Sequence, residues 1–526
     1  MAGDCLSHRP STASRGDDTT ALIGLDVGTT NVKAVVFDVH GIVLTRASRR
    51  QIVSQPRHGW AEYDAETLFA TAADTIAQAL AALPQPRRVA GMAVSSMAET
   101  AVALDRDRRA IRPAIAWHDE RAEDQAVWWR REVGDDVVAS ITGLPIVPIF
   151  GVHKLTWLRE HEPEAFARID CWLNVADYVA FRLTGRAATD HSLGARLMLM
   201  DLTTLDWSPD LLSACKLNAD LFAELVPSGT PVGRVHTEGS AATGLPVGTP
   251  VAAGGMDHPC AALALGIRRP GDFLDSLGTS ESIFSVIPAH HSDPEFTRMG
   301  YQQGPHVAPG TYYCNGGMYT AGACVDWLHA LAFSESDGYD AMIDAAESVP
   351  PGAGGVHFLP HLRMANTPID DERSRGAFVG LSVDTHRSHL ARAVFEGLAF
   401  GSRASFDVLI EQLGLTVERV RAAGGGTRNP LLMRIKAALL PRDITLEVVE
   451  FEEAASLGAA LLAGVGAGVY ADVEEASGAV NLKTRSIARP SQALVDFYER
   501  AFHEVHERLY PQVAPLSHAI IELGSP

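Results

Sequence analysis

Two short segments, about half the chain apart, read as copies of one device. Gly24-Leu25-Asp26-Val27-Gly28-Thr29-Thr30 leads into Val32, Ala34, Val35, Val36 and Phe37, and Asp275-Ser276-Leu277-Gly278-Thr279-Ser280 leads into Ile283, Phe284, Ser285 and Val286. Each is an apolar strand, a tight Gly-Thr-Thr or Gly-Thr-Ser turn and a returning strand, which is the pattern of a β-hairpin. Glycine lets backbone approach an oxyanion closely, and turn N–H groups with two hydroxyls can donate to phosphate. One such turn says little, because sheets that bind nothing carry them too. Two, each with its own upstream aspartate, predict a duplicated fold that clamps a polyphosphate from both sides. Other nucleotide devices are missing: no G-x-x-x-x-G-K-[ST] occurs, and Gly424-Gly425-Gly426-Thr427-Arg428-Asn429 lacks the G-x-G-x-x-G register.

A chain of 526 residues, 46% hydrophobic and 21% charged, is long enough for two domains with separate cores. Its formal charge of −20 is spread along the chain and opposes binding to nucleic acid or to an anionic membrane. The six cysteines stand apart without C-x-x-C spacing and read as reduced, buried small hydrophobes. No apolar run reaches 18 residues, so no membrane span is predicted. Residues 1–20 are polar and lack a signal-peptide core, which predicts a disordered leader and a cytoplasmic protein.

From Ala21 onward strands alternate with helices, the mark of an α/β class with two sheets. Strands are predicted at Leu22 to Asp26, Val32 to Asp38, Ile42 to Ala47 and Val89 to Val94, with a helix from Asp64 to Leu83. In the second half, helices are predicted over Gly322 to Ala332, His386 to Leu413, Pro430 to Leu440 and Ala454 to Ala463, with a last one near Leu494 to Leu509. The boundary is placed after Gly266, giving domains 21–266 and 267–526.

Taken together, these segments resemble the FGGY carbohydrate kinases, over nearly the whole chain from Ala21. The residues that carry the resemblance are Asp26 to Thr30, Trp117-His118-Asp119-Glu120-Arg121, Asp177-Tyr178 with Arg182-Leu183-Thr184-Gly185, and Gly254-Gly255-Met256-Asp257. Leu277-Gly278-Thr279-Ser280, Arg375 to Leu381, Glu396-Gly397, Gly424-Gly425-Gly426 and Leu457-Gly458-Ala459-Ala460 follow in the family's order. The resemblance implies two actin-like (ribonuclease H-like) domains with ATP and a sugar in the cleft between them.

It also implies roles. Asp257 would be the catalytic base, since a sugar hydroxyl is a poor nucleophile until a carboxylate takes its proton; the competing reading is a cap on the following helix. Asp26 would orient Mg²⁺, which needs few protein carboxylates, or would cap its hairpin as an Asx turn. Gly28, Thr29, Thr30, Gly278 and Thr279 would hold the phosphates. Gly425, Gly426, Thr427 and Asn429 would form the adenosine loop, or a plain strand-to-helix turn with Pro430 at the first helical position. Gly458 reads as a packing glycine. Met97, Ala98, Glu99, Trp117, Asp119, Asp257 and His258 would face the sugar, although a single Trp is more often core.

The substrate segment departs from the named relatives. Where xylulokinases and gluconokinases carry Met-His, this chain has Met97-Ala98-Glu99-Thr100, which agrees with glycerol kinase at Glu99-Thr100 but lacks its Arg. The reaction predicted is transfer of the γ-phosphoryl group of ATP to a terminal hydroxyl of a xylulose-like pentulose. A tetrulose or short polyol such as erythrulose, erythritol or a glycerol-like compound is the competing substrate, and an actin-like ATPase acting as a sugar sensor is the competing class. An ionised Glu99 carboxylate would favour a vicinal diol over a carbonyl, because it accepts hydrogen bonds and cannot donate. A homodimer is a candidate assembly.

Overall fold

The computed structural model describes residues 19–83, 87–334 and 336–524. Each predicted hairpin opens a sheet. In the first sheet β1 (Thr20–Val27), β2 (Asn31–Phe37) and β3 (Val43–Arg50) form an antiparallel meander. On the other side of β1 lie β4 (Arg88–Ser96), then β5 (Pro231–Arg234) and β6 (Pro250–Met256); β4 and β6 run parallel to β1, and β5 is an antiparallel edge. The spatial order is β5-β6-β4-β1-β2-β3.

The second sheet repeats this plan. Its strands are β7 (Phe273–Leu277), β8 (Glu281–Ile287), β9 (Gln302–Pro305), β10 (Tyr312–Met318), β11 (Arg419–Ala423), β12 (Thr445–Val449) and β13 (Thr484–Ser486). Their order is β9-β10-β8-β7-β11-β12-β13, with β7, β11 and β12 parallel and the rest antiparallel to their neighbours. Thus β3-β2-β1-β4-β6 of one half corresponds to β10-β8-β7-β11-β12 of the other. The central strands carry apolar residues on both faces because helices cover both faces; in β1 only Asp26 keeps partial exposure.

Helices fill the layers. α1 (Ala65–Ala81) starts where Asp64 accepts from the Thr67 N–H, and it buries Leu68, Ala72, Ile76 and Ala79. The others that matter here are α2 (Gly151–His161), α3 (Val175–Thr184), α4 (Asp257–Ala264), α5 (Gly322–Ala332), α6 (Gly338–Glu347), α7 (Arg387–Leu413), α8 (Pro430–Leu439) and α9 (Ala454–Gly466). α4 and α9 each follow the last parallel strand of their half, and they pack on each other. The approach is too close for side chains: a Cβ on Gly458 would sit 1.9 Å from the Cys260 carbonyl oxygen, and one on Gly24 would sit 1.7 Å from that of Ser456. Gly458 is therefore a packing glycine. α9 also lies on β1, β4 and β6, so a division at Gly266 separates the two sheets but not their packing.

The end of the chain differs from expectation. After a helix at Gln492–Ala501 and a π-helical turn at Phe502–His506, the chain continues as helix Glu507–Gly524 through Pro511 and Pro515. Prolines argue against such a continuation. Tertiary contacts hold it: Tyr510 Oη donates to Asp371 Oδ2 at 3.0 Å, and His518 Nε2 lies 2.7 Å from the same atom. Five cysteines, Cys171, Cys215, Cys260, Cys314 and Cys324, are buried and unpaired, and Cys5 lies outside the described residues, as does the predicted leader up to residue 18. Among the described residues no helix is long and apolar enough to cross a membrane.

Candidate active site

The site of the first half is assembled by strand register. Asp26 on β1 faces Ser95 on β4, and Ser95 faces Gly255 on β6, so three neighbouring parallel strands end together. Ligands of open α/β sheets sit at such carboxyl ends. Gly254 and Gly255 let β6 close up: a Cβ on Gly254 would meet the Val94 carbonyl oxygen at 1.8 Å, and one on Gly255 would meet Val307 Cγ1 at 2.5 Å. The Met256 N–H is fixed by Ser192 Oγ at 2.9 Å. Asp257 is then the first residue of α4. Met256 occupies the cap position without a side-chain cap bond, and Asp257 Oδ1 accepts only from the adjacent His258 N–H, at 2.8 Å. Asp257 is therefore not the N-cap of α4, although its carboxylate takes up one of the helix's first-turn N–H groups.

Asp26 and Asp257 are near enough to repel. Burial first, and then the Asp257 charge, push the Asp26 carboxyl up from 3.8 to about 7, against a hydrogen bond from Ser95 Oγ at 3.0 Å that holds it down. Lys33 lies opposite Asp26 in the hairpin register, but its ammonium pairs with Glu453 Oε2 at 3.1 Å. Asp26 has no cation within ion-pair distance among the described residues, and one such carboxylate suits a divalent ion that keeps its waters and phosphate ligands.

On the predicted sugar side, Trp117 is half-buried and its Nε1 donates to Thr29 Oγ1 at 2.9 Å, so the indole and the first turn hold each other. His258 is exposed. Three of the predicted residues, Met97, Ala98 and Asp119, are buried. Met97 and Ala98 are each 3% exposed and belong to the core of the first half. Asp119 has a side-chain exposure of 0%; its oxygens accept from the Ala61 N–H at 2.6 Å and from Arg121 at 2.7 Å, leaving nothing for a substrate hydroxyl. Its aspartate-arginine pair braces the segment that presents Trp117. Glu99 is not a lone carboxylate either, because Arg196 Nε donates to its Oε1 at 2.5 Å. Arg196 thereby sets a hydrogen-bond donor beside the acceptor-only carboxylate.

The second hairpin lines a cavity of about 470 Å³ together with Gly322, Asp326, Tyr339, Ile343, Gly425, Gly426 and Asn429. That volume suits a nucleoside-sized ligand. The turn is clasped by the start of α5, since the Thr279 carbonyl accepts from the Ala321 and Ala323 N–H groups, both at 3.0 Å. Gly425 faces open space, whereas a Cβ on Gly426 would meet Leu277 Cβ at 2.8 Å. Thr427 does not line the cavity: its hydroxyl donates to the Gly424 carbonyl at 2.7 Å and braces the loop. Asn429 caps α8 by accepting from the Leu432 N–H at 3.0 Å and still borders the cavity. The α5 and α6 residues, and the buried cations Lys154 and Arg196, were not legible as site residues, because they sit in helical stretches without a motif.

Two lobes of like topology, each opening on a glycine turn, with a carboxylate at the strand ends of one lobe, fit a phosphotransferase of the actin-like class. Models of the FGGY family of carbohydrate kinases match residues 21–264 with the N-terminal domain and residues 275–467 with the C-terminal domain. The chain belongs to that family. A curated xylulose kinase from Bacillus subtilis (strain 168) is 29% identical over 95% of this chain and 98% of its own length. A glycerol kinase from Gloeobacter violaceus is 31% identical over 86% of this chain and 90% of its own. Among solved structures, xylulose kinase from Rhodospirillum rubrum superposes with a TM-score of 0.87 at 29% identity, covering 95% of this chain and all of that one.

Proposed function

We propose that this carbohydrate kinase transfers the γ-phosphoryl group of ATP to a terminal hydroxyl of a xylulose-like pentulose, with Asp257 as general base. The observation that carries this reading is the placement of Asp257 at the end of β6, beside Asp26 and past the N-cap position of α4. A base there takes the hydroxyl proton as the phosphoryl group arrives. The N-terminus of α4 adds a favourable dipole at the reacting end. Asp26 would hold Mg²⁺ through water; the ion would supply charge neutralisation for the transferred phosphoryl group. Gly28, Thr29 and Thr30 on one side and Gly278 and Thr279 on the other would donate to the phosphates, with the base of the nucleotide in the cavity bordered by Gly425, Gly426 and Asn429.

The pentulose assignment is supported by full-length likeness to xylulose kinases and by the pairing of Glu99 with Arg196, which puts a hydrogen-bond donor beside the carboxylate. Coupled ADP release with D-xylulose, D-gluconate, erythritol and glycerol tests it. Turnover highest with xylulose is the expected result. Higher turnover with erythritol or glycerol transfers the assignment to a short polyol, and sugar-independent ADP release would make the protein an ATPase.

A further inference from the structure

The loop after β4 holds Glu99 at φ 59°, in the left-handed region. A side-chain-bearing residue stays there, at a cost of roughly 1–3 kcal/mol, only where its surroundings over-determine it. Two buried cations do so. Lys154 of α2 donates Nζ to the Glu99 carbonyl at 2.6 Å and to the Ile149 carbonyl at 2.8 Å. Arg196 grips the carboxylate, with both side chains of that pair 6% exposed.

Arg196 also reaches the other half of the molecule. Its Nη1 and Nη2 each lie 3.3 Å from Gln302 Oε1 on β9, and its guanidinium rests 4.9 Å from the centre of the Phe150 ring. Tyr313 on β10 adjoins the same guanidinium, and its hydroxyl lies 4.0 Å from the sulfur of Met256, the residue before Asp257. Glu99 Oε2 accepts no hydrogen bond among the described residues. One network thus joins the substrate loop, the strand end that carries the proposed base, and an edge of the second sheet.

Resting on the kinase reading above, we propose that Arg196 is a positioning residue that couples occupancy of the sugar site to nucleotide binding by the second half. A substrate hydroxyl accepted by Glu99 Oε2 fixes the carboxylate, and the carboxylate fixes Arg196. Through Gln302 and Tyr313 the β9–β10 edge is then held against the first half, so the nucleotide meets a cleft whose ordering has already been met. A guanidinium suits this task because its planar fork bonds Glu99 and Gln302 at once; a lysine is a single point charge and cannot span both in the same way.

The test is calorimetry of a non-hydrolysable ATP analogue, with and without D-xylulose, on the full chain and on Arg196→Lys and Gln302→Leu. In the wild type, sugar should tighten analogue binding by about 5- to 150-fold, the usual range for coupled sites. In both variants the analogue alone should bind within about twofold of wild type, the gain from sugar should fall below about twofold, and the sugar KM should rise more than kcat falls. A purely structural ion pair would leave the gain intact, and a gain retained by either folded variant overturns the coupling. Should Arg196→Lys fail to fold, Gln302→Leu decides alone. A wild type that releases no ADP with any sugar overturns the kinase reading itself, which sugar-dependent turnover with an unchanged gain in the variants does not.

Discussion

The two hairpins look alike in sequence, yet their aspartates do opposite things. Superposed on Gly28 and Gly278, Asp26 corresponds to Ser276, and Asp275 corresponds to Leu25. An offset of one residue in a strand turns a side chain to the other face. Asp26 therefore reaches the cleft, whereas Asp275 occupies a core position, 1% exposed, where its counterpart Leu25 is fully buried. A carboxylate in that place needs a partner. Lys436 of α8 supplies it at 2.7 Å and also meets Glu281 Oε1 at 2.9 Å. Two carboxylates then share one lysine, and burial pushes Glu281 up to about 7, with the Asp275 charge adding to the rise. The second aspartate belongs to a structural ion pair, so the upstream aspartates of the two hairpins have different roles. Duplication preserved the backbone of the turn and let the chemistry diverge.

The strongest way to break this contrast is on the first side. Asp257→Asn should lower kcat by about 10²–10⁴-fold while ATP analogue and sugar still bind, because only the proton acceptor is removed; near-wild-type turnover in a folded variant would remove Asp257 from the role of base. On the second side the effect should fall on stability. Lys436→Met leaves Asp275 and Glu281 buried without their cation and should cost about 3–5 kcal/mol in urea unfolding at pH 8. A loss of under about 1 kcal/mol would mean that the second hairpin does not depend on the pair.

Asp26 should separate the two sites by pH. The folded protein holds its proton to about 7, whereas an unfolded aspartate releases it near 3.8. The stability this gives is present below about pH 4 and is lost as pH rises through about 7. Relative to Asp26→Asn, the ligand-free wild type should therefore lose stability between those limits, by at most about 4 kcal/mol. Unfolding curves that stay parallel across this range would show that Asp26 is not repelled as its neighbourhood implies. The smallest effect should come from Thr427→Val, which removes one loop-bracing hydrogen bond worth about 0.5–1.5 kcal/mol, or roughly 2- to 10-fold in nucleotide KM. A larger loss would return Thr427 to direct contact with the nucleotide.

By itself the sequence determined the fold class and the family, since hairpin turns, glycine runs and helix periods are local signals that the chain writes in order. Pro430 at the first position of α8 and Gly458 as a packing glycine follow from residue type and position, whereas the contact of Gly458 with Cys260 comes from the packing of distant helices. Tertiary structure decided which polar side chains remain free to do chemistry. Asp275 was taken by Lys436 and Glu99 by Arg196, partners 161 and 97 residues away in the chain. No periodicity records such pairings, because a buried charge is satisfied by whatever cation the packing of distant elements brings to it.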